Sequence, residues 1–151
     1  MDIRISKEEL LSTCKEQVNE RVAFLRMELK KVKESADAET KSSMGDKYET
    51  GREMMMQEEK KLQDRLGILL NQKTALESID PKQHQNIKFG SLVVTNQSVF
   101  FIAVALGAFK FKDQQVFVVS QNAPLVKEML GKEKGASVSF NGREQKILEV
   151  S

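Results

Sequence analysis

The sequence has little of what metal sites and side-chain catalysis usually require. It contains one cysteine, Cys14, one histidine, His84, and no tryptophan. One cysteine cannot form an internal disulfide, which fits a reducing compartment, and we expect Cys14 to be an apolar helix residue. His84 has no ligand partner near it in the sequence, so we expect it to be solvated in a linker. There is no nucleophile–base pair, glycine-rich phosphate loop or Cys/His cluster, so the common catalytic and metal-binding motifs are missing.

A long hydrophobic run is missing as well. The longest one, over residues 99–109, has about 11 residues, whereas a membrane-spanning helix needs about 20. The first residues lack the apolar segment of a signal peptide. We therefore expect a soluble, cytoplasmic protein that has no membrane partner.

Charge of one sign does not dominate, because 24 Lys and Arg side chains stand against 22 Asp and Glu, a formal net charge of +2. This balance excludes a strongly basic protein that coats nucleic acid. Residues 1–80 hold 15 basic and 17 acidic side chains, however, whereas residues 81–151 hold 9 and 5. Halves of such different charge density predict two domains, over 1–80 and 89–151, with a polar linker over 81–88.

The first half has the pattern of a coiled coil. Ser6 and Glu9 form a capping box that begins a helix. Apolar residues then recur at steps of three and four in a first run and of seven in a second: Leu11, Cys14, Val18, Val22, Leu25, Leu29 and Val32, then Tyr48, Met55, Leu62, Leu69 and Leu76. Such narrow stripes are seams between helices. The polar stretch over 34–45 predicts a turn of about ten residues and hence a monomeric antiparallel hairpin of roughly 40 Å. A dimerising coiled coil is the alternative.

The second half has the pattern of a small sheet. Asp80-Pro81 ends the second helix, because the residue before proline is pushed out of the helical conformation. Short β-branched or aromatic runs predict strands over 92–95, 99–104, 116–119, 137–140 and 145–150. The apolar run over 99–109 is expected to be one buried strand and its continuation. A short helix is predicted over 124–130, and Asn141-Gly142 predicts a hairpin turn.

The predicted fold class is therefore α+β. An N-terminal antiparallel α-helical coiled-coil hairpin is followed by a small, mostly antiparallel β domain with one short helix.

The predicted tip of the hairpin is acidic, and the shaft before it is basic. Residues 34–49 hold five acidic side chains and two lysines, whereas residues 15–33 have a net charge of +3 and end in Lys30, Lys31 and Lys33. Such a shaft can guide an RNA 3′ end by attracting its phosphates, or it can be ordinary solvated helix surface.

Asp46 and Glu49 are the candidate functional pair within this tip. Their i,i+3 spacing places both carboxylates on one face of a helix. Mg²⁺ is often held by one or two carboxylates together with water and phosphate. The pair can therefore contribute to phosphodiester chemistry only where a second protein supplies the remaining ligands. The same spacing fits a capping box with Asp46 as the N-cap, and spacing leaves both interpretations open.

Residues 45–50 form the sequence Gly-Asp-Lys-Tyr-Glu-Thr, which resembles the Gly-Asp-x-x-Glu-Asn tip of the Gre family of bacterial transcription elongation factors. Further motifs similar to that family follow in the right order: Phe89-Gly90-Ser91, Asn122-Ala123-Pro124-Leu125, Met129-Leu130-Gly131-Lys132, Lys134-Gly135 and Ile147-Leu148-Glu149. The resemblance covers nearly the whole chain.

This resemblance implies that the second domain is FKBP-like and docks on the rim of the secondary channel of bacterial RNA polymerase. The hairpin would enter the channel. Asp46 and Glu49 fall on the family's acidic pair, which shares a Mg²⁺ with polymerase and stimulates cleavage of backtracked RNA. Ala123 and Pro124 fall on the loop that faces polymerase. The resemblance thus implies an accessory factor that is not itself an enzyme and has no cofactor when free.

The chain departs from the family pattern at several positions. Lys47-Tyr48 separates the two acids, Thr50 replaces the Asn, and Ala123 stands where Ser is usual. A channel-binding inhibitor or modulator that does not stimulate cleavage is therefore an alternative. Two further hypotheses are an FKBP-like peptidyl-prolyl isomerase, which the lack of Tyr and Trp in the second half disfavours, and a coiled-coil assembly protein.

Overall fold

The chain folds as two long helices followed by a sheet with one short helix. The computed structural model describes residues 5–42 and 46–151, with the side chains of all of these except residue 36 and residues 38–49. The elements in chain order are α1 (Lys7–Ser42), α2 (Asp46–Glu77), β1 (Leu92–Thr95), β2 (Val99–Ala103), β3 (Gly107–Phe111), β4 (Gln114–Ser120), α3 (Pro124–Met129), β5 (Ser137–Phe140) and β6 (Arg143–Val150). This arrangement confirms the predicted α+β class.

The chain divides into two compact units. The hairpin unit is Glu16–Thr74, and the sheet unit combines Met1–Lys15 with Ala75–Ser151. These bounds differ from the predicted domains over 1–80 and 89–151, because the first turns of α1 and the end of α2 belong to the sheet unit.

In the hairpin unit, the two predicted seams pack against each other. Leu25 and Leu29 of α1 are buried with Leu62 of α2, and Lys33 pairs with Glu59 at 3.9 Å. Residues later in α1 therefore meet residues earlier in α2, so the helices are antiparallel. Because α2 of the same chain covers the seam of α1, this packing favours the intramolecular hairpin over a dimerising coiled coil.

Helix α1 extends beyond its predicted arm. The stretch over 34–45 was expected to be a turn, but α1 continues to Ser42, so the prediction of a ten-residue turn is wrong. The stretch lacks apolar seam positions, yet it is free of proline and glycine as far as Met44 and contains Ala and Glu, which favour helix. Local propensity therefore extends the helix after the seam ends. No helix in the described ranges is long and apolar enough to cross a membrane.

The sheet unit contains a six-stranded mixed sheet in the order β3-β4-β2-β1-β6-β5. The β2–β4 pair is parallel, and the other neighbouring pairs are antiparallel. The face that packs on α3 holds one buried cluster, which consists of Ile87, Val93, Phe100, Ile102, Val126, Met129, Val138, Ile147 and Val150. Five of the six strands and the short helix were predicted.

Strand β3 was not predicted. The apolar run over 99–109 is divided between β2 and β3 instead of forming one strand and its continuation. Gly107 adopts a φ of +91° and starts β3, which returns alongside β4 through a turn at Lys112 and Asp113, where φ is 50° and 64°. Neither turn residue is glycine, so the usual signal of a tight hairpin is missing. The predicted turn at Asn141-Gly142 is confirmed, with φ of 52° and 75°.

The predicted linker over 81–88 is part of the sheet unit. Ile87 is 1% exposed and exchanges backbone hydrogen bonds of 2.8 Å with Gly131 and Lys132. His84 was expected to be solvated, but it is half-buried, and its Nδ1 is hydrogen-bonded to Ser91 Oγ at 2.7 Å. The burial of Ile87 was not predicted, because a single buried residue in a polar segment gives no periodic pattern.

Candidate functional site

The predicted acidic pair lies at the start of α2. Asp46 and Glu49 belong to its first turn, but their side chains lie outside the described residues. The acid pair and its capping alternative therefore both stay predictions. Two carboxylates are donors that suit Mg²⁺, yet they are fewer than the ligands it needs. In the part of the chain whose side chains are described, no three His, Cys, Asp or Glu side chains are grouped to hold a metal ion.

The three lysines of the predicted basic shaft do not form one patch. Lys30 and Lys33 line an open groove of about 370 Å³ on the hairpin unit together with Arg26. Lys31 lies on a different face of α1 and pairs with Glu28 at 3.6 Å. The structure therefore brings two of the three lysines together and adds an arginine that the sequence analysis missed. The spacing 26, 30, 33 at steps of four and three was the signal that could have found it.

The charge along this groove changes sign towards the start of α2. Glu34 and Asp37 continue the same lining beyond Lys33. Lys33 is partly engaged by Glu59 at 3.9 Å, an exposed ion pair that contributes little stability. Lys30 pairs with no carboxylate among the described residues. The groove is thus lined by the positive charges of Arg26 and Lys30 at one end and by the carboxylates of Glu34 and Asp37 at the other.

The predicted partner-facing loop is held firmly in the sheet unit. Ala123 precedes α3 and has no side chain that can cap it, and Pro124 occupies the first turn. The Ala123 N–H donates to Ser120 O at 3.0 Å, and the Asn122 N–H donates to Ser120 Oγ at 3.1 Å. Ser120 therefore supplies the polar contacts that fix this loop, and Pro124 is left exposed beside it.

Ala123 also lines an open depression of about 490 Å³ in the sheet unit. The other lining residues are Ala105, Gly107, Val118, Val119, Ser120 and Asn122. The depression exists because most of these side chains are small. None of them is aromatic, so the depression lacks the walls of the proline pocket that the isomerase hypothesis needs. Sequence analysis missed Ala105 and Gly107 because they belong to the entry into the unpredicted strand β3.

A second polar cluster in the sheet unit is buried. The Lys7 ammonium donates to Lys82 O at 2.8 Å, and Ser91 Oγ accepts the N–H of Lys88 at 3.0 Å. Ser91 is 0% exposed, so no substrate can reach its hydroxyl, although His84 lies beside it.

Burial also raises the pKa of the Cys14 thiol to about 12, which keeps that thiol protonated and unreactive. We interpret these groups as structural.

Lys7 makes the stability of the protein depend on pH. Burial lowers the pKa of its ammonium to about 8, the Asp80 carboxylate partly offsets this, and Lys88 adds to the lowering. Between about pH 8 and 10.5 the unfolded chain keeps the Lys7 proton that the folded protein has lost. The free energy of unfolding should therefore rise by about 1 kcal/mol between pH 8 and 9, measured by urea unfolding. Above about pH 9 the thiol of Cys14 ionises in the unfolded chain but stays protonated in the folded protein, which opposes a further rise.

The Lys7→Met variant should lose this rise, because its side chain does not titrate. Lys82→Met is the matched control, since the Lys82 side chain is 83% exposed, and it should keep the rise of the wild type. Equal slopes of stability against pH in wild type and Lys7→Met would show that Lys7 is not the responsible group.

A scan against family models gives no match for this chain, and neither does a search of curated proteins. Among solved structures, the chain is similar to the GreA factor homologue 1 (Gfh1) protein of Thermus thermophilus, at 17% identity and a TM-score of 0.37, with 91% of this chain and 94% of that chain covered. It is also similar to Thermus aquaticus Gfh1, at 18% identity and a TM-score of 0.34, with 96% and 94% covered. Similarities of this size give no support to a function.

Proposed function

We propose that this protein is an accessory factor that binds bacterial RNA polymerase at its secondary channel and stimulates cleavage of backtracked RNA. The observation that carries the proposal is the antiparallel hairpin, whose seam buries Leu25 and Leu29 against Leu62. Asp46 and Glu49 stand in the first turn of its second helix, next to the connection between the arms. A hairpin of this kind can carry carboxylates to a site in another protein.

Each part of the chain has a role in this proposal. Asp46 and Glu49 share a Mg²⁺ with polymerase and help to hold it beside the RNA, and the free protein holds no cofactor. Ala123 and Pro124 contact the rim of the channel through the depression that Ala123 lines. Arg26 and Lys30 attract the phosphates near the RNA 3′ end. The protein acts as a monomer in the cytoplasm.

The alternative is a channel-binding inhibitor or modulator that does not stimulate cleavage. The specific observation in its favour is the sequence of the tip, where Lys47-Tyr48 separates the two acids and Thr50 follows them. At these positions the tip departs from the Gly-Asp-x-x-Glu-Asn pattern on which the expectation of cleavage stimulation rests.

The deciding experiment adds the full chain to a stalled, backtracked elongation complex of bacterial RNA polymerase in Mg²⁺ buffer. Binding and RNA cleavage are measured separately on the same complex. We expect binding together with cleavage at least about tenfold faster than that of polymerase alone, a change of about 1.4 kcal/mol in the barrier. Binding without faster cleavage would select the modulator. The absence of binding would refute both.

A further inference from the structure

Two large apolar side chains, one from each helix, are exposed on the hairpin unit and line the same groove. Phe24 of α1 and Ile68 of α2 are each 61% exposed, and they line an open groove of about 500 Å³ whose floor includes Leu25 and Leu69. The seam buries Leu25 and half-buries Leu69 but leaves Phe24 and Ile68 outside. Contiguous apolar side chains on both sides of one groove are typical of interaction sites.

Positive charge borders this groove from both helices. Arg21 of α1 and Arg65 of α2 line it, with Glu20 as the one acidic member. In the described ranges, neither arginine pairs with a carboxylate. Aromatic residues and arginine are the side chains enriched in the cores of protein interfaces. The groove therefore combines an apolar floor with unpaired guanidinium groups.

We propose that this groove is a second contact with polymerase, occupied by an acidic segment of polymerase that carries an apolar side chain. The apolar side chain packs between Phe24 and Ile68, and neighbouring carboxylates pair with Arg21 and Arg65. This inference rests on the proposed function, because polymerase is the partner. The contact is remote from the acidic pair, since α1 continues for 18 residues beyond Phe24 to Ser42, about 27 Å at 1.5 Å per residue.

Two different occupants fit the groove less well. A second copy of this chain, packed groove to groove, would bring four arginines together with two glutamates to match them. An RNA strand would find a single ring, that of Phe24, for base stacking, and its phosphates would meet Glu20. An acidic protein segment with an apolar side chain matches both the floor and the rim.

The test measures the affinity of the full chain for bacterial core RNA polymerase at two salt concentrations. One variant combines Phe24→Ser with Ile68→Ser, and another combines Arg21→Glu with Arg65→Glu. We expect each pair to weaken binding about tenfold or more, and the charge reversal to reduce the salt dependence as well. Met56→Ser and Lys60→Glu are the matched controls, since both residues are exposed and outside the groove, and they should keep wild-type affinity.

The outcomes separate this inference from the proposed function. If the wild type does not bind polymerase, both are refuted. If the wild type binds and both groove variants bind equally well, the groove contact alone is refuted. The groove contact would also be refuted if the charge variant bound polymerase weakly while the apolar variant kept wild-type affinity. A wild-type dimer that Phe24→Ser dissociates, or an RNA oligonucleotide that binds the wild type and not these variants, would assign the groove to another occupant. Thermal unfolding verifies that each variant is folded.

Discussion

Asp46→Asn is expected to bind polymerase like the wild type and to lose the stimulation of RNA cleavage. Asparagine caps a helix about as well as aspartate, so this variant keeps any capping role and removes only the charge. Loss of a shared metal ligand should reduce stimulated cleavage about tenfold or more, down to the rate of polymerase alone. Glu49→Gln should act in the same direction.

The matched control for this prediction is Asp37→Asn. Asp37 is an exposed acid of the same segment that the proposal does not place beside the metal, so this variant should retain cleavage within about twofold of the wild type. The assay is the cleavage rate of a backtracked complex at saturating factor. Full activity of Asp46→Asn would show that Asp46 serves as a cap and that its carboxylate has no catalytic role.

The second large effect is expected when the depression beside Ala123 is filled. Ala105→Phe places a large ring among side chains that leave a space of about 490 Å³. Because Ala105 is exposed, the substitution should cost little stability, and it should weaken the affinity for polymerase about tenfold or more. Binding is measured by titration of labelled protein against core polymerase.

Ala108→Phe is the control for the filled depression. Ala108 is exposed on β3 and does not line the depression, so the same change of side chain there should leave the affinity unaltered. If both variants bind polymerase with wild-type affinity, the depression is not part of the docking surface. Weak binding by both would mean that the contact extends along β3.

The parts of the fold that sequence predicted are those that short-range patterns encode. Ser6 caps α1, because its Oγ accepts the Glu9 N–H at 3.3 Å, and this motif needs only four consecutive residues. The seam residues were found because burial against one neighbouring helix imposes a regular step. Asn141-Gly142 was found because left-handed conformations restrict the choice of residue.

The parts that sequence did not predict depend on contacts between distant segments. Strand β3 exists because it pairs with β4 from Gly107 opposite Val118 to Phe111 opposite Gln114, and its turn uses Lys112-Asp113. The alternation of Phe109, Lys110 and Phe111 was the available signal, hidden at the end of a longer apolar run. Ile87 likewise binds a loop about 45 residues away, and no local pattern marks such a partner.

The candidate sites divide in the same way. The acidic pair and the loop at Ala123 came from motifs in the sequence. Arg26, the depression and the groove at Phe24 came from the structure, because each is formed by residues whose proximity depends on helix phase or strand pairing. Composition cannot show that Phe24 is exposed while Leu25, its neighbour in the chain, is buried.

The divided sheet unit has a consequence for the order of folding during synthesis. Its first segment, Met1–Lys15, is made before its second, Ala75–Ser151. The side chains of Leu10, Leu11 and Cys14, which are buried in the folded protein, therefore cannot be fully buried while the hairpin is being synthesised. The antiparallel hairpin needs only its own residues and mostly nearby contacts, which favours early and rapid formation. Because its arms are antiparallel, the formed hairpin brings its first and last residues together, and with them the flanking residues Lys15 and Ala75. The hairpin thereby closes the long loop on which completion of the sheet unit depends.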